Sequence, residues 1–337
     1  MEIEKDKANL NPDEVATRIY GDMTPRARRP ALPLQALTDM WERRERSEAL
    51  CTVVPRRVTV TYRPEGGMPL LRDVDGDVSA PSDTLAPVVE IFREPIEGYD
   101  YILHCDPSEG EEEGDAQCIQ IGCRQTLEQV ACFHGHTDTD VLAYVLAGLG
   151  IYYNFGLLSV ERDVEGGRIL ELLRTVCRYP FIYRSRRSGD PTTKRNDMRL
   201  GFVTDRISKP ASIAATISAL RAKLLYVYHY QTYTQMRLLE KKPGEAGYWK
   251  IGAPSGLNDD AGVAMCILTL LMMDETLPLH GAAHGGGQEM TTWQRILKQQ
   301  EAKKTRMVAL VNPWDTSDAM AGDTPGSDDD FTAGGWR

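Results

Sequence analysis

The sequence contains no Cys-x-x-Cys pair, no Gly-x-x-x-x-Gly-Lys-Ser/Thr phosphate loop, no Gly-x-Ser-x-Gly elbow and no Gly-x-Gly-x-x-Gly fingerprint. The first absence, with an odd total of seven cysteines, argues against a disulfide framework or a zinc cluster and predicts buried free thiols. The others remove nucleotide hydrolysis through a phosphate loop, a serine-hydrolase elbow and a dinucleotide site. No run of 18 apolar residues occurs, and MEIEKDKANLNPDE is charged from its second residue, so neither a membrane span nor a secretory signal is read. A formal charge of −10 argues against coating nucleic acid by bulk electrostatics.

What is present is 42% hydrophobic content over 337 residues, enough for a substantial core, and an uneven charge distribution. From Arg168 to Lys209 eleven Lys and Arg stand against four acids, a local balance of +7 suited to face a phosphate backbone. Residues 1–90 read as an irregular lead-in, with one helix at LPLQALTDMWERRERSEA and one alternating strand at RRVTVTYR. From residue 91 the pattern predicts strands at DYILHC, QCIQIG and EQVACFHG, joined by short turns as an antiparallel meander. A helix at DTDVLAYVLAGLGIYYN, a buried strand LLSVE, a helix at EGGRILELLRTVCRY, a strand PFIYR and a helix at SKPASIAATISALRAK follow. TYTQMRLLE and YWKIG read as strands, and Asn258-Asp259-Asp260 opens the apolar helix AGVAMCILTLLMM. This order predicts a mixed α/β sheet flanked by helices over residues 91–312. Residues 313–337, with six aspartates from Asp315 on and abundant Gly, Ser and Thr, read as a disordered acidic tail, with Phe331 or Trp336 as a partner handle.

Acids recur at element ends. Asp106 closes DYILHCD, Glu161 closes LLSVE, and Asp259 and Asp260 open a helix after the approach APSGLNDD. If LLSVE lies beside DYILHCD, the two strand-end carboxylates come within one inter-strand spacing. Carboxylates that share a site raise one another's pKa or recruit a cation, and magnesium takes hard oxygen ligands. Two such ions about 3.5–4 Å apart activate a water and stabilise the departing oxygen of a phosphodiester. The competing structural reading makes Asp259 or Asp260 an N-cap, Glu161 a solvated strand end and Glu111–Glu113 an exposed loop. All three acidic positions at element ends, in this order, favour the metal reading.

The segments REPIEGYDYILHCDPSEGEEEGDAQCIQI, YYNFGLLSVERDVEGGRILELL, LGFVTDRISKP and APSGLNDDAGVAMCIL resemble, in order and spacing, the nuclease domain of tailed-bacteriophage terminase large subunits. The resemblance covers roughly residues 90–275 and implies an RNase H-like fold that cuts concatemeric viral DNA during genome packaging. It implies Asp106, Glu161 and Asp259 as ligands of two Mg²⁺ or Mn²⁺ ions, Asp260 as a ligand or supporting acid, and Asp115 as a further acid. Lys209 falls where the family carries a lysine after a GWxTN-like stretch, here GFVTD, with Phe202 and Asp205 departing from that pattern. Arg184, Arg186, Arg187, Lys194 and Arg195 join Lys209 as candidate DNA contacts. Asn154 and Gly166-Gly167 also match, and read more simply as a turn former and a helix entry. LNPDEVATRIYGDMTP resembles the end of the family's ATPase half, so the chain reads as a C-terminal part of a terminase or as a naturally split one, with the packaging ATPase outside it. Implied partners are double-stranded DNA, that ATPase, the portal protein and the small terminase subunit, in the host cytoplasm with no membrane.

Other constellations are weaker. His134 and His136 with Asp138 and Asp140 can be drawn as a metal site, but read as a loop leading to a capped helix. His280 and His284 lie among glycines. LLYVYHYQTYTQM carries four tyrosines that suit core packing better than base stacking. Two rival functions stay open: a Holliday-junction resolvase or transposase-like nuclease, and a non-catalytic module that docks a packaging motor onto a portal.

Overall fold

Seven strands form one mixed sheet in the computed structural model, which describes residues 29–45, 51–65, 67–74, 87–107, 116–185, 199–243 and 249–277. The strands are β1 (Arg56–Thr61), β2 (Leu70–Asp73), β3 (Val88–Ile91), β4 (Tyr101–Asp106), β5 (Gln117–Cys123), β6 (Glu128–Gly135) and β7 (Leu157–Val160), in the order β2-β1-β3-β6-β5-β4-β7. All pairs are antiparallel except β4–β7, which is parallel. The meander read from DYILHC, QCIQIG and EQVACFHG is therefore present, and LLSVE lies beside DYILHCD.

Helices cover both faces. On one, α2 (Thr139–Tyr152) and α3 (Val164–Thr175) pack over Leu103, Cys105, Leu158 and Val160. On the other, α4 (Ser208–Arg221), α5 (Tyr230–Leu238) and α6 (Asp260–Met273) pack over Ile102 and Leu157, with α1 (Leu34–Arg43) outside them. Two short ladders complete the described residues: β8 (Arg184–Ser185) with β9 (Arg199–Leu200), and β10 (Glu240–Pro243) with β11 (Trp249–Gly252). Covered on both sides, β4, β5 and β7 are near-continuously buried rather than alternating, which is why their sequences read as apolar runs. All seven cysteines are buried and free, as predicted.

Two readings change. The segment before residue 91 supplies three strands to the sheet, not one. Arg93, just past β3, seals that end by a buried ion pair with Glu128 (2.9 Å), whose other oxygen accepts from the Tyr228 hydroxyl (3.0 Å). TYTQMRLLE forms helix α5, not a strand. Its β-branched and aromatic residues favour a strand locally, but His229 at the N-cap accepts from the Thr232 amide, and Tyr233 and Met236 are buried among the helices.

A buried amide chain fastens this helical layer to the sheet. Gln129 on β6 accepts from the amides of Tyr228 (2.7 Å) and His229 (2.8 Å) and donates to Gln120 on β5. Gln120 in turn donates to Thr232 (2.8 Å) and to the Ala261 carbonyl (3.2 Å). Gln129→Leu leaves two buried amides without acceptors, so urea unfolding should show a loss of about 3 kcal/mol. Gln125→Leu, exposed in the turn between β5 and β6, should cost under about 1 kcal/mol.

Candidate functional site

Side-chain alternation decides where the strand-end acids point. On β4 the residues Tyr101, Leu103 and Cys105 enter the α2/α3 core, so Ile102, His104 and Asp106 point to the α4/α6 face. On β7 Leu158 and Val160 enter the same core, so Leu157, Ser159 and the following Glu161 point with Asp106. The parallel register sets Cys105 against Val160, and the Glu161 amide donates to the Cys105 carbonyl (2.8 Å). Asp106 and Glu161 thus end adjacent strands in the same row, one strand spacing apart. One row below, His104 is fully buried and its Nδ1 meets the Ser159 hydroxyl at 3.1 Å, tying β4 to β7. Burial lowers the His104 pKa to about 3, so the ring is neutral and leaves the acids above it unneutralised.

Helix α6 brings the other pair. Asp259 occupies its N-cap position, yet its carboxylate does not cap the helix. It accepts instead from the Ala253 amide (3.1 Å), while Gln235 of α5 accepts from the Gly262 amide (3.1 Å) and satisfies that part of the helix start. The N-cap explanation of Asp259 therefore fails. Asp260 stands in the first turn, where the helix dipole favours negative charge.

These acids act on one another. Burial first, then the charges of Glu161, Asp260, Asp163 and Asp259, push the Asp106 carboxyl well above the usual carboxylate range. Burial also raises Glu161, with Asp163 and Asp259 adding to the rise, while the Thr204 hydroxyl and the Lys209 ammonium favour its charged form. Asp163 and Thr204 are members that the sequence reading missed. Asp163 accepts from the Gly166 amide (2.6 Å) as the N-cap of α3, and only its position two residues beyond Glu161 could have flagged it. A Cβ on Gly166 would stand 1.8 Å from the Glu161 carbonyl oxygen, so glycine is required where α3 starts against the site.

The other candidates divide. Lys209, in the first turn of α4, lies within electrostatic reach of Glu161. Asp205 caps α4 by accepting from the amides of Ile207 and Ser208, both at 2.8 Å. Arg184 is exposed on β8. Asp115, Arg186, Arg187, Lys194, Arg195, His280, His284, Glu111–Glu113 and the acidic tail lie outside the described residues. Asn154 is structural: at φ 54° it donates to the carbonyls of Ile96 (2.7 Å) and Tyr99 (3.0 Å). His134 turns towards His229, whose Nδ1 lies 3.4 Å from the Cys132 sulfur, and His136 is exposed. Among the tyrosines, Tyr233 stacks on Trp41 at 4.2 Å and Tyr228 is buried against Glu128.

Among the described residues, no group of three or more His, Cys, Asp and Glu side chains stands in an arrangement that holds a metal ion. The donor set still fits a hard cation. It is all carboxylate, half-buried and mutually repulsive, with Lys209 acting on Glu161.

No protein-family model and no curated protein matches this chain. Solved structures similar to it include nuclease domains of phage large terminases. The large terminase nuclease of thermophilic phage G20c with bound magnesium is 10% identical, with a TM-score of 0.45, covering 72% of this chain and 97% of that one. The large terminase nuclease domain of Thermus phage P74-26 is 11% identical, with a TM-score of 0.38 and coverage of 53% and 83%. A mutant of the large terminase subunit of bacteriophage Sf6 with calcium is 10% identical, with a TM-score of 0.37 and coverage of 71% and 98%. At these scores the likeness assigns no role to any individual residue.

The raised carboxyls make a pH prediction. A carboxyl whose folded pKa exceeds its unfolded value of about 4 contributes stability below that value and loses it as pH rises through the folded pKa. The melting temperature of chelator-treated protein should therefore fall as pH climbs through the raised value of Asp106. Added Mg²⁺ should restore more of it at pH 8 than at pH 5, and Asp106→Asn should flatten both responses. Fluorimetric melting curves check this, and a wild-type curve that Asp106→Asn merely copies contradicts it.

Proposed function

We propose that the chain is a divalent-metal-dependent endonuclease that cuts double-stranded DNA, acting as the nuclease part of a viral genome-packaging terminase. One observation carries the catalytic reading: Asp106 and Glu161 end adjacent parallel strands on one face, with Asp259 and Asp260 brought over them by α6. Three separate elements bring carboxylates within electrostatic reach of one another, at a cost in repulsion that a divalent cation would cancel. The packaging context is supported by the ordered sequence resemblance over residues 90–275.

In this reading Asp106, Glu161 and Asp259 hold two Mg²⁺ or Mn²⁺ ions, with Asp260 as a further ligand or a supporting acid. Bound divalent ions supply water activation and neutralise charge on the departing oxygen. The chain's own contribution is placement. Asp106 sits on a strand buried along its length, the stiffest local support, and Glu161 is held by the hydrogen bond its backbone amide donates to the Cys105 carbonyl on β4. Lys209 and the basic segment Arg168–Lys209, which includes Arg184, Arg186, Arg187, Lys194 and Arg195, position the phosphate backbone without reading bases. The host cytoplasm is the compartment this function requires, with a packaging ATPase, a portal and a small terminase subunit as partners.

Plasmid nicking should appear with Mg²⁺ or Mn²⁺ and vanish with chelator. Asp106→Asn and Glu161→Gln should each lower the rate by at least about a hundredfold while the circular-dichroism spectrum stays native. Full cleavage by Asp106→Asn refutes the assignment. A strong preference for four-way junctions over linear duplex would transfer it to the resolvase reading, and ion-independent portal binding without nicking in any metal to the docking reading.

A further inference from the structure

The β10–β11 ladder sets two lysines directly opposite each other: Lys242 pairs with Lys250, and Glu240 with Gly252. Like charges facing across an antiparallel pair are destabilising, so the arrangement calls for an anion. Lys242 is already engaged, with Glu240 at 2.9 Å and the Ala253 carbonyl at 3.2 Å. Lys250 is exposed, and among the described residues its ammonium has no hydrogen-bond or ion-pair partner.

Alternation fixes where that face points. Ile251, with Lys241 opposite, turns into the helical core, so Lys242, Lys250, Glu240 and the missing side chain of Gly252 share the other face, where Glu240 pairs with Lys242 and leaves Lys250 as the exposed cation. A Cβ on Gly252 would lie 2.9 Å from Asp259 Oδ2, so this face is the one turned to the Asp259 carboxylate. Lys250 stands two residues further along the same strand, about 7 Å away. Trp249, 55% exposed at the end of the ladder, lies on the opposite face with Ile251. Lys242 also braces the loop that presents Asp259, because the Ala253 carbonyl it binds belongs to the residue whose amide donates to Asp259.

We propose that the β10–β11 ladder is a second phosphate-binding wall of the site, with Lys250 gripping the nucleic-acid backbone beside the Asp259 carboxylate. The proposal rests on the nuclease reading for its substrate class and adds a contact outside the basic segment Arg168–Lys209. Lys242 is a positioning residue, Lys250 a binding one.

Binding of a short fluorescein-labelled duplex to the full chain, measured by anisotropy in chelator so that no cutting occurs, tests it. Lys250→Ala should weaken binding about three- to tenfold and lower the slope of log K against log salt by about 0.9, the value for one lost phosphate contact on duplex DNA. Trp249→Ala, on the opposite face of the ladder, should leave both affinity and slope unchanged. Melting temperatures should stay at wild type, since both side chains are exposed. Unchanged affinity and slope in Lys250→Ala overturn the proposal, as does a loss of affinity that appears only with a loss of folding. The two readings fail separately. A chain that never nicks DNA but loses the salt slope with Lys250→Ala keeps the wall and sinks the nuclease. A chain that nicks in Mg²⁺ with unchanged Lys250→Ala binding does the reverse.

Discussion

The parallel pairing of β4 with β7 is the constraint on which the site depends. Parallel neighbours end at the same edge of a sheet, whereas antiparallel neighbours send their ends to opposite edges. Asp106 and Glu161 can therefore share a row only because the chain crosses over through α2 before laying down β7. A slip of one residue would turn every β7 side chain to the other face, sending Glu161 into the apolar α2/α3 core and Val160 out of it. The burial of all four β7 residues makes that slip costly, and the contact of His104 with Ser159 one row below adds a polar check on the same register.

A second constraint is how helix starts are satisfied. Three helices begin around the acids, and each start needs acceptors for its first amides. At α3 and α4 the local aspartates do this work: Asp163 binds the Gly166 amide and Asp205 those of Ile207 and Ser208. At α6 the acceptor for the Gly262 amide comes from Gln235 on another helix, which leaves the Asp259 carboxylate to the Ala253 amide and the site. That division separates acids with a structural task from the one set aside. Asp163 belongs to both groups, since its carboxylate caps a helix while its charge still acts on Asp106 and Glu161.

Much of this was legible in the sequence because the central strands are buried on both faces and their ends coincide with acids. DYILHCD, QCIQIG, EQVACFHG and LLSVE read as strands from apolar runs bounded by turn residues, and the Asp-rich start of α6 marked itself. What failed was information carried by tertiary contact. The helical state of residues 230–238 depends on His229 as a cap and on burial of Tyr233 and Met236, none of which has a local signature that outweighs Thr and Tyr strand preference. The strands at Leu70–Asp73 and Val88–Ile91 are four residues each and gain their identity from the partners they meet. Asp163 and Thr204 became site members only once β7, α3 and the approach to α4 were placed together.

The acid cluster also explains a feature of the surrounding fold. Carboxylates that raise one another's pKa lower the stability of the folded chain at neutral pH, and Lys209 offsets this in part through Glu161. Such a cluster persists only where the elements carrying it are held by something else. The buried amide chain from Gln129 through Gln120 to the Ala261 carbonyl holds the start of α6 to β5 and β6, one residue past Asp260. The anchor is neutral, so it binds α6 to the sheet without cancelling the charge at the helix start. The neutral His104 beneath Asp106 follows the same logic, since it supports the row without cancelling the negative charge above it, as the proposed binding of divalent ions requires.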